Sequence, residues 1–157
     1  KTMARDSLTG CRNRATFEIE GVRYLSDHAE GCLVFIDLDF LKEVNDKYGH
    51  ESGDQYLLQF AKMMKNALSH NEFLYRYAGD EFIVVFSNKN EAYAIDLINL
   101  FQNEINDFND KKYGRYKLAF SYGFGSCQVL GNSVDTLLKI MDNKMYENKK
   151  TYHTRLR

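Results

Sequence analysis

The 157-residue chain contains no proline and no tryptophan. Without proline, helix ends have to be set by Gly, Asn, Ser and Asp. Cysteine is sparse: Cys11, Cys32 and Cys127 are odd in number, far apart and form no CxxC pair. That spacing speaks against a zinc site or a redox dithiol and fits unpaired thiols in a reducing compartment. No apolar run approaches the length of a membrane span and no signal peptide is visible, so no membrane contact and a cytoplasmic setting are expected. The opening Lys1-Thr2-Met3 reads as the start of an excised fragment, with targeting or regulatory segments expected elsewhere. An excess of one charge is lacking too, since 21 Lys and Arg offset 22 Asp and Glu to a net charge of −1. A nucleic-acid polymer gripped through global positive charge is therefore not supported, although a local phosphate pocket stays open.

What is present is a globular pattern. Apolar residues make up 44% of the chain, which excludes disorder, and the length suits one domain with a real core. Helical spacing appears over 13–28, 40–48, 53–69, 91–108 and 133–149, the last with Ser133 as a candidate cap. The run Leu33-Val34-Phe35-Ile36 reads as a strand buried on both faces. Residues 73–77 and 82–86 read as strands joined through Ala78-Gly79-Asp80-Glu81, a hairpin signal whose Gly is available for a positive φ. Residues 116–126 form a further strand. The order α β α α β β α β α implies an α+β or mixed α/β fold, with helices packed on a central sheet.

Asp37 and Asp39 close the first strand, and Asp80 and Glu81 occupy the hairpin turn. Any one loop acid is most often simply solvated. Acids at the end of a buried strand, beside a Gly turn, form instead a set of hard oxygen donors suited to Mg²⁺ or Mn²⁺ and to phosphoryl transfer.

These residues carry a family resemblance over nearly the whole chain. Asp6-Ser7-Leu8-Thr9-Gly10-Cys11-Arg12-Asn13-Arg14 is similar to an opening D-x-L-T-G-L-x-N-R. The segment from Asp37 to Asp46 resembles D-x-D-x-F-K-x-x-N-D, with Leu41 in the Phe position, and Tyr48 to Asp54 resembles F-G-H-x-x-G-D. Arg76-Tyr77-Ala78-Gly79-Asp80-Glu81-Phe82 resembles the signature turn, with Ala78 for its first Gly. Ser121-Tyr122-Gly123 resembles S-I-G, and Asp142 to Lys149 resembles a helix A-D-x-A-L-Y-x-A-K. With 37–54 taken as one continuing stretch, five matches in order are specific, and the chain resembles the GGDEF domain of bacterial diguanylate cyclases, in an AGDEF variant.

The resemblance implies one GGDEF domain over 1–157, with a central, mostly antiparallel sheet of about five strands flanked by helices, related to nucleotidyl cyclases and polymerase palms. It implies condensation of two GTP to cyclic di-GMP and two pyrophosphates across a homodimer of domains, the fragment alone being mostly monomeric. It places two divalent ions, Mg²⁺ or Mn²⁺, on Asp37, Asp80, Glu81 and the carbonyl of Leu38. Glu81, Asp80 and Lys42 take the catalytic roles. Asn45 and Asp54 match the guanine readers, and Phe40, Leu41, Gly79 and Lys149 also face the nucleotide. An Asp accepting from the guanine N1–H and 2-amino groups rejects adenine. For Asn45 a helix-cap role stays open beside base reading. His50 is expected to be structural.

Three departures matter. Ala78 is harmless at negative φ and costs on the order of 1 kcal/mol or more at positive φ. The positions of the family's inhibitory R-x-x-D motif are Ser69, His70, Asn71 and Glu72, so feedback inhibition there is expected to be absent or weak. His153 replaces a phosphate-holding Arg of the tail. A degenerate GTP-binding regulatory module, an interaction scaffold and an ATP-using cyclase stay open as rivals.

Overall fold

The computed structural model describes residues 4–26, 31–111 and 116–126, with 139 and 143 as isolated positions. Strand β1 (Arg12–Asn13) leads into α1 (Arg14–Thr16), a π-helical turn (Phe17–Gly21) and α2 (Val22–Ser26). Then follow β2 (Gly31–Leu38), α3 (Leu41–Tyr48), α4 (His50–Ala67), β3 (Glu72–Ala78), β4 (Glu81–Ser87), α5 (Glu91–Asp110) and β5 (Phe120–Ser126). The five strands form one sheet in the order β1-β3-β4-β2-β5. Only the β1–β3 pairing is parallel, so the sheet is mostly antiparallel, as expected.

Alternation along β2 explains the layers. Cys32, Val34, Ile36 and Leu38 enter the larger core, with Tyr56, Phe60 and Met64 of α4 and Ile98, Phe101 and Ile105 of α5. Leu33 and Phe35 enter the smaller core on the other face, with Phe17, Leu25, Tyr75, Ile83 and Val85. The central strand is thus covered on both sides, which is why its sequence is an unbroken apolar run.

Several boundaries differ from the sequence pattern, each for a local reason. The first helical segment is interrupted by the π turn, where a Cβ at Gly21 would lie 2.6 Å from the buried Phe17 ring. Helix α4 begins at His50 rather than 53, because Gly49, at φ 94°, both ends α3 and starts α4. Strand β5 begins at Phe120 rather than 116. Before it, both the amide and the carbonyl of Leu118 bond to the side chain of Asn109, and the amide of Ala119 bonds to the Tyr56 hydroxyl. Side chains there take the bonds a ladder would make. β1 has two residues, too short for any periodicity. Of the expected last helix only Lys139 and Asn143 are described, both helical and exposed; Ser133, Asp142 and Lys149 lie outside the described residues, as do Cys127 and His153. Cys11 and Cys32 are both buried.

Candidate active site

The acids meet at one end of the sheet. Asp37, the penultimate residue of β2, pairs directly with Glu81, the first residue of β4. On its other side Asp37 pairs with Ser121 of β5. Directly opposed residues of an antiparallel pair project to the same face, and two like charges so placed are destabilising. The amide of Leu38 donates to the carbonyl of Asp80 at 2.8 Å, which draws the hairpin turn onto the end of β2. Asp37, Asp80 and Glu81 are each partly exposed, whereas the Leu38 side chain is buried. The four residues expected to hold metal therefore share one strand end.

Among the described residues no three acidic, His or Cys side chains are gathered into a preformed metal cage. Mg²⁺ rarely needs one, being held as a rule by one or two carboxylates together with substrate phosphates and waters. The donor set here, hard oxygens on opposed strands, fits an ion that arrives with a phosphorylated ligand.

The signature turn is shaped by a bulge and held by a cation. Register shifts between Arg76 and Ala78, a device that re-aims a strand end. Ala78 ends β3 outside the left-handed region, so its methyl group brings no backbone strain. Gly79 is also outside the left-handed region, contrary to the positive φ its Gly suggested. What its missing side chain provides is space: a Cβ there would meet nothing within 4 Å, and the turn stays open to a ligand. Arg76 grips the Gly79 carbonyl through Nε at 3.2 Å and Nη2 at 2.8 Å. Its Nη1 donates to both oxygens of Asp6, at 3.1 and 3.0 Å. Asp6 also accepts from the amide and hydroxyl of Thr9, at 2.8 and 2.7 Å. Burial pushes the Asp6 carboxyl up, but the bonds from Thr9 and Arg76 outweigh it and hold the group below its usual range. The chain's opening motif thus braces the signature turn through Arg76.

Beside this turn lies the start of α3. Phe40 is left-handed, at φ 67° and ψ 14°, an unusual conformation for a bulky residue and one associated with functional sites. Phe40 itself gives no side-chain cap to the first turn of α3, and the first amides of a helix are suited to water or an anion. The Leu41 side chain packs on the larger core, so it serves as the apolar plug its motif position calls for. Lys42 is exposed on that first turn.

Asn45 sits in the last turn of α3, and its carbonyl accepts from Gly49 at 2.8 Å. A Cβ on Gly53 would fall 1.7 Å from Asn45 Oδ1, so the glycine is what admits that side chain. Asp54 follows, exposed, in the second turn of α4. His50 only begins that helix. Tyr116 braces the region by donating to the Ser52 carbonyl at 3.1 Å and packing on Tyr48 and Tyr56.

The family model described as "Diguanylate cyclase, GGDEF domain" matches residues 3–155. The chain belongs to the GGDEF family. Among relatives of this GGDEF domain, diguanylate cyclase DgcP of Escherichia coli is 33% identical over 150 residues, covering 92% of this chain and 44% of DgcP. Diguanylate cyclase VdcA of Vibrio cholerae is 28% identical over 147 residues, covering 92% of this chain and 43% of VdcA. The GGDEF domain therefore spans less than half the length of either relative. Among solved structures, the GGDEF domain of PA1120 (TpbB or YfiN) from Pseudomonas aeruginosa superposes with a TM-score of 0.81 at 28% identity, covering 94% of this chain and 89% of that one. The GGDEF domain of DgcB from Caulobacter crescentus, solved with c-di-GMP, shares the fold with a TM-score of 0.82 at 24% identity, covering 94% and 91%.

In this GGDEF domain the R-x-x-D positions are put to another use. The buried Glu72 carboxylate accepts from the Ser69 amide at 2.7 Å and from the Tyr93 hydroxyl at 2.6 Å, and is paired with Lys89. Burial raises this group, and the bonds from Lys89, the Ser69 amide and Tyr93 bring it below its usual range. Sequence reading assigned no roles to Asp6, Thr9, Arg76, Tyr56 or Ser121, and it grouped Asp39 with the acids that could donate to a metal, whereas its carboxylate accepts from Ser121. All but Tyr56 lie in the motif segments quoted above, so the signal was present, but as a resemblance without a contact. Gly53 was found only as a motif letter.

Proposed function

We propose that this domain is the catalytic unit of a diguanylate cyclase. The observation that carries the reading is the carboxylate pair Asp37–Glu81, set directly opposite on neighbouring strands beside the Asp80 turn and the start of α3. Two carboxylates so placed supply hard oxygen donors to one divalent ion.

In this reading the 3′-oxygen of one GTP bonds to the α-phosphorus of the other, and the bond from that phosphorus to the bridging oxygen breaks. Pyrophosphate leaves, and a second identical step closes the ring. Glu81 takes up the 3′-hydroxyl proton. Lys42, the amides at the start of α3, and Lys149 balance phosphate charge. Mg²⁺ or Mn²⁺ ions, two per half-site, held by Asp37, Asp80, Glu81 and the Leu38 carbonyl, would supply positive charge to the alkoxide and the leaving pyrophosphate. Asn45 and Asp54 read guanine. Because each half-site holds one GTP and the product is symmetric, two domains must face each other. Buried thiols and a GTP substrate suit a cytoplasmic setting.

The test is incubation of the chain, fused to a parallel dimeriser that raises effective concentration, with GTP and Mg²⁺ or Mn²⁺. Cyclic di-GMP from the parent and none from Glu81→Ala establishes the activity. Bound GTP without product points to a regulatory binding module, and no binding leaves a scaffold.

A further inference from the structure

Asp39 belongs to the strand-end acids by sequence, yet its placement separates it from them. It is 1% exposed, against the partial exposure of Asp37, Asp80 and Glu81. Both its carboxylate oxygens lie 3.1 Å from the Ser121 hydroxyl, which donates to them from β5. Its carbonyl accepts from the Tyr56 hydroxyl of α4 at 2.6 Å, and its amide donates to the Ala119 carbonyl at 2.9 Å. The Tyr56 oxygen in turn accepts from the Ala119 amide at 3.1 Å. Asp39 is thus tied on its amide, its carbonyl and its side chain, by Ala119 just before β5, by Tyr56 of α4 and by Ser121 of β5. The next residue is the left-handed Phe40, whose carbonyl accepts the Val44 amide at 2.9 Å to open α3.

We propose that Asp39, Ser121 and Tyr56 form a buried clamp that holds Phe40 left-handed and so aims the first amides of α3 at a nucleotide's phosphates. Asp39 is then a positioning residue and not a metal ligand. A left-handed bulky residue is strained and persists only where its surroundings over-determine it. The bonds on Asp39 are such surroundings, one of them to a buried carboxylate. The phosphate role rests on the cyclase reading of the site, whereas the clamp stands on geometry alone.

The experiment uses the 157-residue chain and its Ser121→Ala and Tyr56→Phe variants. Amide hydrogen exchange without nucleotide reads the clamp. Faster exchange at Asp39 and Val44 in both variants is expected, and unchanged exchange overturns the clamp. Binding of 3′-deoxy-GTP, which lacks the attacking hydroxyl and cannot turn over, is then compared with binding of guanosine, which has no phosphate. The expected result is about a tenfold loss of 3′-deoxy-GTP affinity with guanosine affinity little changed, since hydrogen bonds to charged groups are worth about that factor or more. General destabilisation would lower both equally. Faster exchange with an unchanged ratio of the two affinities overturns the positioning role. A parent chain that binds neither 3′-deoxy-GTP nor guanosine overturns the cyclase reading and the phosphate role with it, leaving the exchange result to decide the clamp.

Discussion

β3 and β4 each open on a glutamate, and the two lie at opposite ends of the same hairpin. At one end Glu72 has a side chain with no exposure, and Lys89, Tyr93 and the Ser69 amide bind it from three sides. At the other end Glu81 is partly exposed and faces a second carboxylate, Asp37, across the ladder. One end has spent its charge on the fold. The other sets two carboxylates opposite each other across the ladder, beside the start of α3. A carboxylate bonded from three sides marks structure, and on the cyclase reading two opposed carboxylates mark where a cation is to bind.

Glu81→Gln should break the comparison at its functional end. Loss of a group that moves a proton and balances charge costs about 10²–10⁴ in rate. Cyclic di-GMP formation should fall by that factor while the melting temperature changes little, because Glu81 is partly exposed and the amide keeps its shape. Retained activity with a lower melting temperature would mean that Glu81 belongs with Glu72.

Lys89→Met makes the reverse cut. It leaves the buried Glu72 carboxylate short of its cation, a loss of about 1–3 kcal/mol in stability by denaturant titration. Turnover per folded molecule should not change, since Lys89 lies at the far end of the hairpin. Gly53→Ala is smaller again and acts on recognition. Its Cβ would need the space 1.7 Å from Asn45 Oδ1, so Asn45 must swing away. KM for GTP should rise by about tenfold, the worth of a hydrogen bond or two to the base, with kcat less affected. An unchanged KM would remove Asn45 from guanine reading.

How far the sequence reached depends on what each feature is made of. β2 and β4 were legible because strands buried on both faces need continuous apolar runs, and α5 because its apolar positions repeat at helical spacing. The end of β2 and the hairpin turn were legible as motifs. β1 was not, since two residues carry no period. Neither was the start of β5, because Asn109 and Tyr56 supply bonds that no local pattern encodes. The brace from Asp6 through Arg76 to Gly79 spans 70 residues of sequence between its first two members, and the Ser121–Asp39 contact spans 82. Each residue stood in a recognisable motif, but the partnership between motifs is a property of the folded sheet.

Acid sharpens the comparison last and most gently. Asp6, which braces the signature turn, and Glu72, which closes the far end, both sit below their ordinary values of 3.8 and 4.5. Burial alone would raise them, and the bonds they accept outweigh it. A carboxyl with a depressed folded value takes up protons in the unfolded chain first as pH falls. The stability these two groups contribute is therefore complete above their ordinary values and drains away as pH drops through the folded ones. Denaturant unfolding followed over roughly pH 3 to 5 should show this slope. Asp6→Asn and Glu72→Gln should each flatten part of it, because neither amide titrates. Only Asp6→Asn should also slow the cyclase at neutral pH, since only Asp6 holds the arginine that grips the turn. If Glu72→Gln slowed it as much, the two ends of the hairpin would not be separate in function, and the far end would have to be counted as part of the site.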